Sequence, residues 1–287
     1  MNNVYEIITQ RILDKMAEGY IPWKKPWIGS EGSFNYVSKN PYSITNQILL
    51  EHRGAYATYN QWQRLGGKVK KGAKSEIVIF WKMQEFKEKN EDTGEVIEKK
   101  IPLLRYYRVI HISDVDGVEL PDQEETFDTK PIEAAEDLLH KYLDREKIIL
   151  HQLKDGNNAY YSPSSDSITL PEIVQFEQAE EYYSTAFHEC SHSTMKSWRC
   201  DREEENKNSR FGNPVYSREE LVAEISSAAI LNHLRIETPE TFTNSAAYIQ
   251  GWSKALKEDP KLFITASARA EKAANYILGV KEYDMIY

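Results

Sequence analysis

The sequence predicts an α+β protein of two domains, an N-terminal α/β domain over residues 1–125 and a C-terminal domain over residues 126–287. The chain of 287 residues, 40% hydrophobic and 28% charged, is long enough for two ordinary cores. Its charge is divided, because residues 1–120 hold 18 Lys and Arg against 15 Asp and Glu, while the remainder holds 18 against 30. The net charges of +3 and −12 indicate different partners for the two parts. We place the linker in the acidic stretch 113–131, which contains Gly and Pro.

The first elements are a helix over residues 3–19, predicted from its apolar periodicity, and an extended segment that contains two prolines. In this segment Trp23 and Trp27 alternate with lysines, which suits stacking on bases and pairing with phosphates. Anchoring of both tryptophans in the core is the alternative. A second helix begins near Ser43, just after Tyr42, and its free amides could hold a phosphate unless Ser43 only caps them.

A basic stretch follows, because residues 58–82 carry six Lys and Arg against the single acid Glu76. A glycine-rich basic loop here precedes a strand over 77–81, with aromatic residues close by. This arrangement fits a groove for single-stranded nucleic acid, although a solvated basic turn remains the alternative. The candidate nucleic-acid contacts are Trp23, Trp27, Tyr42, Trp62, Lys68, Lys70, Lys71 and Lys74.

Further strands and helices are predicted along the rest of the chain. A charged hairpin over 84–100 leads into a strand over 103–112. A second hairpin ends in a strand with Ile168 and Leu170, whose edge we expect to receive an extended peptide. The remaining predicted helices cover 132–145, 180–197, 217–235, 244–257 and 262–278.

The helix over 180–197 contains the H-E-x-x-H motif His188-Glu189-Cys190-Ser191-His192. Residues four apart share a helix face, so His188 and His192 can bind one metal ion together. Glu189 then lies beside the metal, where its carboxylate can take a proton from a water molecule that zinc has acidified. The spacing therefore predicts a zinc-dependent hydrolytic site with Glu189 as the general base.

A catalytic zinc ion needs a third protein ligand. A histidine ten residues after His188 would supply it in one class of metallopeptidases, but that position is Trp198. Glu220 and Glu224 share a face of a later helix, so one could bind the metal while the other orients a histidine ligand. We predict that Glu220 is the ligand and Glu224 the orienting group. The alternatives are ligation by Glu224 or Glu219, and a capping box in which Glu220 only caps its helix with Ser217.

The remaining features favour a cytoplasmic protein. No apolar run approaches the roughly 20 residues that span a bilayer, and the first residues lack the apolar core of a signal peptide. Cys190 and Cys200 are expected to be free thiols in a reducing compartment, although a disulfide between them is the minor alternative.

Several motifs together resemble the ArdC-type antirestriction family. They are IPWKKPW, NPYSITNQILLE, TYNQWQRLGGKVKKGAKSEIVIFW and YYRVIHISDVDGV in the first half, and YYSTAFHECSHST, YSREELVAEISSA and NSAAYIQGWSKAL in the second. The resemblance implies an N-terminal domain that binds single-stranded DNA and a C-terminal zincin-like metallopeptidase domain. It also implies carriage on conjugative mobile elements and protection of incoming DNA from host restriction. Glu220-x-x-Ala223-Glu224 is similar to the gluzincin E-x-x-A-D/N element, in which the first glutamate binds zinc.

Three functions are therefore to be distinguished. We favour a single-stranded DNA-binding antirestriction protein with a zinc peptidase site, for which a host protein is the candidate substrate. The others are a DNA-binding protein whose zinc is purely structural, and a zinc protease whose first domain recognises a protein. On the favoured function, residues 1–125 alone should bind single-stranded DNA and residues 126–287 should not.

Overall fold

The computed structural model describes residues 3–17, 21–24, 32–89, 96–119, 131–154, 158–176, 178–203, 214–236 and 246–280. Trp27, the tip of the charged hairpin and most of the expected linker lie outside these residues. The described part is an α+β protein, as predicted. None of its helices combines the length and the apolarity that crossing a bilayer requires.

The described residues form eight α-helices. They are α1 (Val4–Ala17), α2 (Ile44–Leu49), α3 (Tyr59–Arg64), α4 (Pro131–Glu146), α5 (Ala179–Ser193), α6 (Pro214–His233), α7 (Ala246–Glu258) and α8 (Leu262–Leu278). Helix α2 begins where expected, because the Ser43 side chain accepts a hydrogen bond from the Asn46 amide. Helix α3 begins with a capping box between Thr58 and Gln61.

The N-terminal sheet is built on one long antiparallel ladder. Its strands are β1 (Phe34–Asn35), β2 (Ala55–Ala57), β4 (Glu76–Lys89) and β5 (Val96–His111), in the order β1-β2-β5-β4. A separate pair joins β3 (Lys68–Val69) to β6 (Val115–Asp116). The β4–β5 register runs from Glu76 opposite Val109 to Lys89 opposite Val96, so both strands extend beyond their predicted ranges.

Strand β4 is at the edge of this sheet, and a helix side chain satisfies part of that edge. The side-chain nitrogen of Asn46 on α2 donates a hydrogen bond to the Ile79 carbonyl oxygen at 2.8 Å. Its side-chain oxygen accepts one from the Ile79 backbone N–H at 2.7 Å. These two bonds replace the partner strand at this position, since a buried backbone group without a partner would cost about 1–3 kcal/mol.

The C-terminal sheet has the order β7-β9-β8, formed by β7 (Ile149–Leu153), β8 (Tyr160–Ser162) and β9 (Ser167–Pro171). The prediction that the strand with Ile168 and Leu170 offers its edge to a peptide is wrong. That strand is β9, which pairs with β7 on one side and β8 on the other, and all of its residues are buried. Strand β7, which was not predicted from the sequence, pairs with the side of β9 that was expected to receive the peptide.

One hydrophobic core is shared by the two halves of the chain. Ile8, Ile12 and Trp23 from the N-terminal part pack in the same cluster as Leu221 and Phe263 from the C-terminal part. Helix α2 is also bonded to α8, because the Thr45 and Ser267 hydroxyls lie 2.7 Å apart and are buried. The two predicted domains therefore do not have fully separate cores.

Candidate metal centre

Helix α5 presents two histidines from a face that the core leaves open. Ala186, Phe187 and Cys190 are fully buried in the second core cluster, which fixes the rotation of the helix. His188 and His192, one turn apart, are then directed to the opposite side, with their ring centroids 4.8 Å apart. Because α5 contains no Gly or Pro, it keeps this helical spacing through the motif.

Glu220 approaches the histidines from helix α6, which packs against α5. The helix begins at Pro214, so Ser217 lies inside it and is not at its N-terminal cap. The capping-box explanation of Glu220 is therefore wrong. Pro214 at the first helical position is the usual place for proline, since its missing N–H is not needed there.

The three side chains enclose a space of the size of a divalent metal ion. The Nε2 atoms of His188 and His192 are 3.1 Å apart, and they lie 3.5 and 3.4 Å from the two carboxylate oxygens of Glu220. One ligand atom from each residue lies within 4.8 Å of the others. Two ligands at about 2.0–2.1 Å from a tetrahedral ion are separated by about 3.3 Å, so these donors fit such an ion.

The electrostatics of the site favour a cation. Burial alone would raise the pKa of Glu220, but hydrogen bonds with His188 and His192 hold it well below its usual range. Burial would lower the pKa of His192, yet its contacts with Glu219 and Glu220 raise that pKa to about 10. The Glu220 carboxylate beside the two imidazoles therefore favours a positive charge at this position, which a metal ion would supply.

Glu219 supports His192 from the other side of the ring. Its Oε1 atom lies 3.8 Å from Nδ1 of His192, and both of its carboxylate oxygens accept hydrogen bonds from Arg202, at 2.7 and 3.0 Å. Arg202 also donates to the Ser191 carbonyl oxygen and to the Thr194 hydroxyl at the end of α5. Burial would raise the pKa of Glu219, but these contacts lower it to about 2.

Glu219 therefore occupies the position from which a carboxylate orients a histidine ligand. From the sequence, Glu219 was predicted only as an alternative metal ligand. The contact that holds Glu219 in place is not local in sequence, because Arg202 precedes Glu219 by 17 residues and lies outside the H-E-x-x-H motif. Glu224, which we predicted for the orienting role, is one turn after Glu220 on α6 and accepts a hydrogen bond from the Trp23 indole N–H at 3.1 Å. Its role toward the histidines stays a prediction.

Both described tryptophans among the candidate DNA contacts are core residues. Trp23 is 1% exposed, and Trp62 is fully buried with its indole N–H donating to the Ile110 carbonyl oxygen at 2.9 Å. A ring enclosed on both faces cannot stack on a base, so the stacking prediction is wrong for these two residues. Tyr42 is partly buried against Tyr56, with which it makes an edge contact.

The four predicted lysines do lie on the surface. They are exposed on the segment that leads into β4: Lys68, Lys70, Lys71 and Lys74. Lys70 is partly engaged, because its ammonium donates to the Ser113 carbonyl oxygen at 2.8 Å and lies 3.6 Å from Asp116. The segment therefore keeps exposed positive charge, but it does not join Trp23 or Trp62 in a groove.

The two cysteines are free thiols, as predicted. Cys190 is buried on the core side of α5, and burial raises its pKa far above the usual range. Burial also raises the pKa of Cys200. Neither thiol is suited to ionise at neutral pH, so neither is a candidate nucleophile.

Comparisons with known proteins agree with this architecture. The profile of the N-terminal domain of anti-restriction factor ArdC matches residues 2–110, and that of zincin-like metallopeptidases matches residues 133–269. The chain is 30% identical over 293 residues to the uncharacterized protein y4eC of Sinorhizobium fredii, covering 96% of this chain and 91% of that protein. It is also 32% identical over 301 residues to a DNA primase TraC of Escherichia coli. The match covers 97% of this chain but 20% of that primase, and 27% of a second TraC.

Crystal structures of the antirestriction ArdC protein from plasmid R388 have the same fold. The metal-free form matches with a TM-score of 0.73 and 31% identity, covering 96% of this chain and 97% of that chain. The Mn(II)-bound form matches with a TM-score of 0.72 and 29% identity, covering 97% and 98%. The chain belongs to the ArdC-type antirestriction family and carries a zincin-like metallopeptidase domain.

Proposed function

We propose that this protein binds single-stranded DNA, carries a zinc-dependent peptidase site, and protects the DNA of a mobile element from host restriction. The observation that carries the catalytic part is the set of three donors from two helices, 3.1–3.5 Å apart, with a glutamate between the two histidines. The antirestriction role rests on the ArdC relatives, and the link to DNA rests also on the TraC primases.

Each residue of the centre has a distinct role in peptide hydrolysis. His188, His192 and Glu220 would hold the zinc ion, which when bound polarises a carbonyl group and acidifies water. Glu189, 7% exposed, follows His188 on α5, and its charge contributes to the raised pKa of His192. Its carboxylate takes a proton from the attacking water and delivers it to the leaving amine. Glu219 keeps His192 in one orientation through Nδ1.

Metal analysis of the purified full chain tests the ligand set. We expect about one zinc ion per chain, and its loss in the double variant His188→Ala/His192→Ala. Glu189→Gln should keep the metal, because Glu189 is not a ligand, and Glu180→Gln in the first turn of α5 is the matched control. Equal zinc in the wild type and the double variant would contradict the assignment.

Proteome-wide cleavage profiling tests the chemistry. Wild-type protein and Glu180→Gln should produce the same new peptide termini, and Glu189→Gln should produce none. If all three proteins hold zinc and none produces new termini, the metal is structural and the peptidase proposal fails.

DNA binding is tested separately, by titrating a labelled single strand and its duplex with the full chain. Tighter binding of the single strand, weakened by added salt, is the expected result.

A further inference from the structure

One face of the β4–β5 ladder carries a stacked aromatic pair that is open to solvent. Opposite residues on paired strands share a face, and Phe80 is opposite Arg105 while Val78 is opposite Tyr107. Phe80 and Tyr107 are thus diagonal neighbours, with ring centroids 4.5 Å apart and planes inclined by 7°. Tyr107 is nevertheless 54% exposed, so its ring is held parallel to Phe80 without being covered.

The other face of the same ladder explains why this pair is left uncovered. Ile77 and Ile79 point to that other face and are buried in the core that the two halves of the chain share. The aromatic pair is directed away from this core. The pair contributes to strand pairing, as cross-strand aromatic pairs do, while the exposed face of Tyr107 stays accessible to a ligand.

Positive charge surrounds the pair. Arg105 is directly opposite Phe80, Lys82 is two residues further along β4 on the same face, and both are exposed. Residues 77–84 and 102–110 contain three Lys and Arg and no Asp or Glu. This sheet surface, formed by Phe80, Lys82, Arg105 and Tyr107, therefore combines an exposed ring with cations, which suits bases joined by phosphates.

The basic segment before β4 continues from this ladder. The Arg108 guanidinium donates to the Ser75 hydroxyl at 3.3 Å, which ties the end of the segment to β5. Lys71 and Lys74, both exposed, lie directly before that point. Glu76, the first residue of β4, lies between the lysines and this surface, but it is buried and accepts hydrogen bonds from the Tyr56 hydroxyl and the Glu51 backbone amide. A nucleic-acid backbone could therefore pass from the lysines to the sheet surface without meeting an exposed acidic group of residues 71–84.

We propose that the sheet surface is the site where single-stranded DNA stacks a base, on the free face of Tyr107, with Arg105 and Lys82 neutralising phosphates. The proposal deepens the DNA-binding part of the proposed function and rests on it. It replaces the buried Trp23 and Trp62 with an aromatic pair that a base can reach.

Fluorescence anisotropy with a labelled oligothymidylate of about 20 nucleotides tests the proposal in the full chain. Tyr107→Ala should weaken binding about tenfold at low and high salt alike, because the lost stacking is not screened. Tyr107→Phe, which keeps the ring, should bind as the wild type does. The matched control is Tyr160→Ala, since Tyr160 is 51% exposed on β8 in the other half of the chain.

The salt dependence of binding gives a second test, through Lys82 and Arg105, that does not depend on the stability of the Tyr107 variant. The double variant Lys82→Gln/Arg105→Gln should reduce the slope of log affinity against log salt by about 1.4, since each contact to a single strand contributes about 0.7. Lys141→Gln on α4, exposed and remote in sequence, should leave the slope unchanged.

The possible results distinguish an error in the assigned surface from an error in the proposed DNA binding. If the wild type binds oligothymidylate while Tyr107→Ala and the double variant bind equally well with the same slope, the surface assignment is wrong and the function stands. If the wild type does not bind, both fail. Equal affinity for the single strand and its duplex would also overturn the stacking proposal, because the bases of a duplex have no free face.

Discussion

At the scale of single residues, two adjacent glutamates on α6 act on His192 from opposite sides. Glu220 lies 3.4 Å from Nε2, the atom that faces the metal position, and Glu219 lies 3.8 Å from Nδ1. Neighbours on a helix point about 100° apart, so both can reach one ring only because that ring fits between them. Arg202 completes the arrangement by holding Glu219 with two hydrogen bonds.

Glu219→Gln should weaken zinc binding about 10–100-fold, because the variant no longer fixes the His192 ring with a carboxylate. The metal-free variant should also melt at lower temperature, since Arg202 loses its charge partner in a buried position. Competition with a chromophoric chelator measures the affinity. Asp259→Asn is the control, with unchanged affinity, because it weakens a partly buried ion pair with Arg218, the residue that precedes Glu219 on α6. A Glu219→Gln protein with wild-type affinity would contradict the orienting role.

Arg199 anchors the C-terminal end of α5, the helix of His188 and His192, through a second buried ion cluster. Its side chain is 0% exposed and donates to Asp166 at 2.7 Å, to Glu146 at 3.0 Å and to the Ser193 carbonyl oxygen at 2.8 Å. Burial alone would raise the pKa of Asp166, but hydrogen bonds from Arg199 and Tyr161 and the Arg199 charge lower it. The cluster thereby joins the β8–β9 turn and α4 to the C-terminal end of α5.

Asp166→Asn should reduce the free energy of unfolding by about 2 kcal/mol at pH 7, the usual size for a hydrogen bond to a charged group. The pKa of Asp166 is lower in the folded than in the unfolded protein, so its contribution is present above the unfolded value of about 3.9 and is lost below it. The difference between variant and wild type should therefore shrink as pH falls below about 4. Denaturant titrations of both proteins at pH 7 and at about pH 3 measure it, and a constant difference would contradict the prediction.

At the scale of elements, helix α6 is held by both halves of the chain. It contributes Glu219, Glu220 and Glu224, and it packs against α5 and α8. The segment that contains Trp23 follows α1 and contacts the same helix, with the indole N–H bonded to Glu224 and the ring against Trp252 and Phe263. Helix α6 is thus positioned partly by the segment that contains Trp23.

Trp23→Phe should lower the zinc affinity several-fold, because a buried carboxylate one turn from Glu220 loses a donor. Trp62→Phe removes an equivalent buried indole hydrogen bond on the N-terminal sheet and is the matched control. Both variants should lose stability, but only the first should change the affinity measured by chelator competition. Equal zinc affinities of the two variants would show that Trp23 only stabilises the fold.

At the scale of the whole molecule, the shared core couples the two predicted domains. Ile8, Ile12, Ile77 and Ile79 belong to the same buried cluster as Leu221 and other residues of α6, α7 and α8. The side chains of Thr9 and Arg53 also donate across the halves, to the Pro260 carbonyl oxygen and to the Asn232 side chain. Separation of the halves would expose this apolar surface to water.

Residues 1–125, expressed alone, should therefore lack a cooperative thermal transition, although the sequence predicts that they bind single-stranded DNA. The physical reason is the loss of the apolar partners that α1 and β4 have on α6 to α8. Circular dichroism melts of residues 1–125, residues 126–287, their mixture and the full chain measure this. A cooperative transition of the first piece alone would show that the shared core is dispensable for its folding.

Local periodicity was enough to predict that His188 and His192 share a face of α5, and to predict most of the helices. The spacing of His188 and His192, and of Glu220 and Glu224, follows from the 3.6-residue turn, which operates within one element. The start of α2 at Ser43 follows from a cap hydrogen bond to a residue three positions away. Each of these features depends on residues that are close in sequence.

Other features depend on partners that are remote in sequence. Trp23 is buried because Glu224, 201 residues later, accepts its N–H, and β9 is central because β7 pairs on its second side. Glu219 lies 3.8 Å from Nδ1 of His192 because Arg202, 17 residues earlier, holds its carboxylate there. A residue's own sequence neighbourhood specifies the direction of its side chain on its element, whereas packing of distant elements specifies whether that direction leads to solvent, to a core or to a metal.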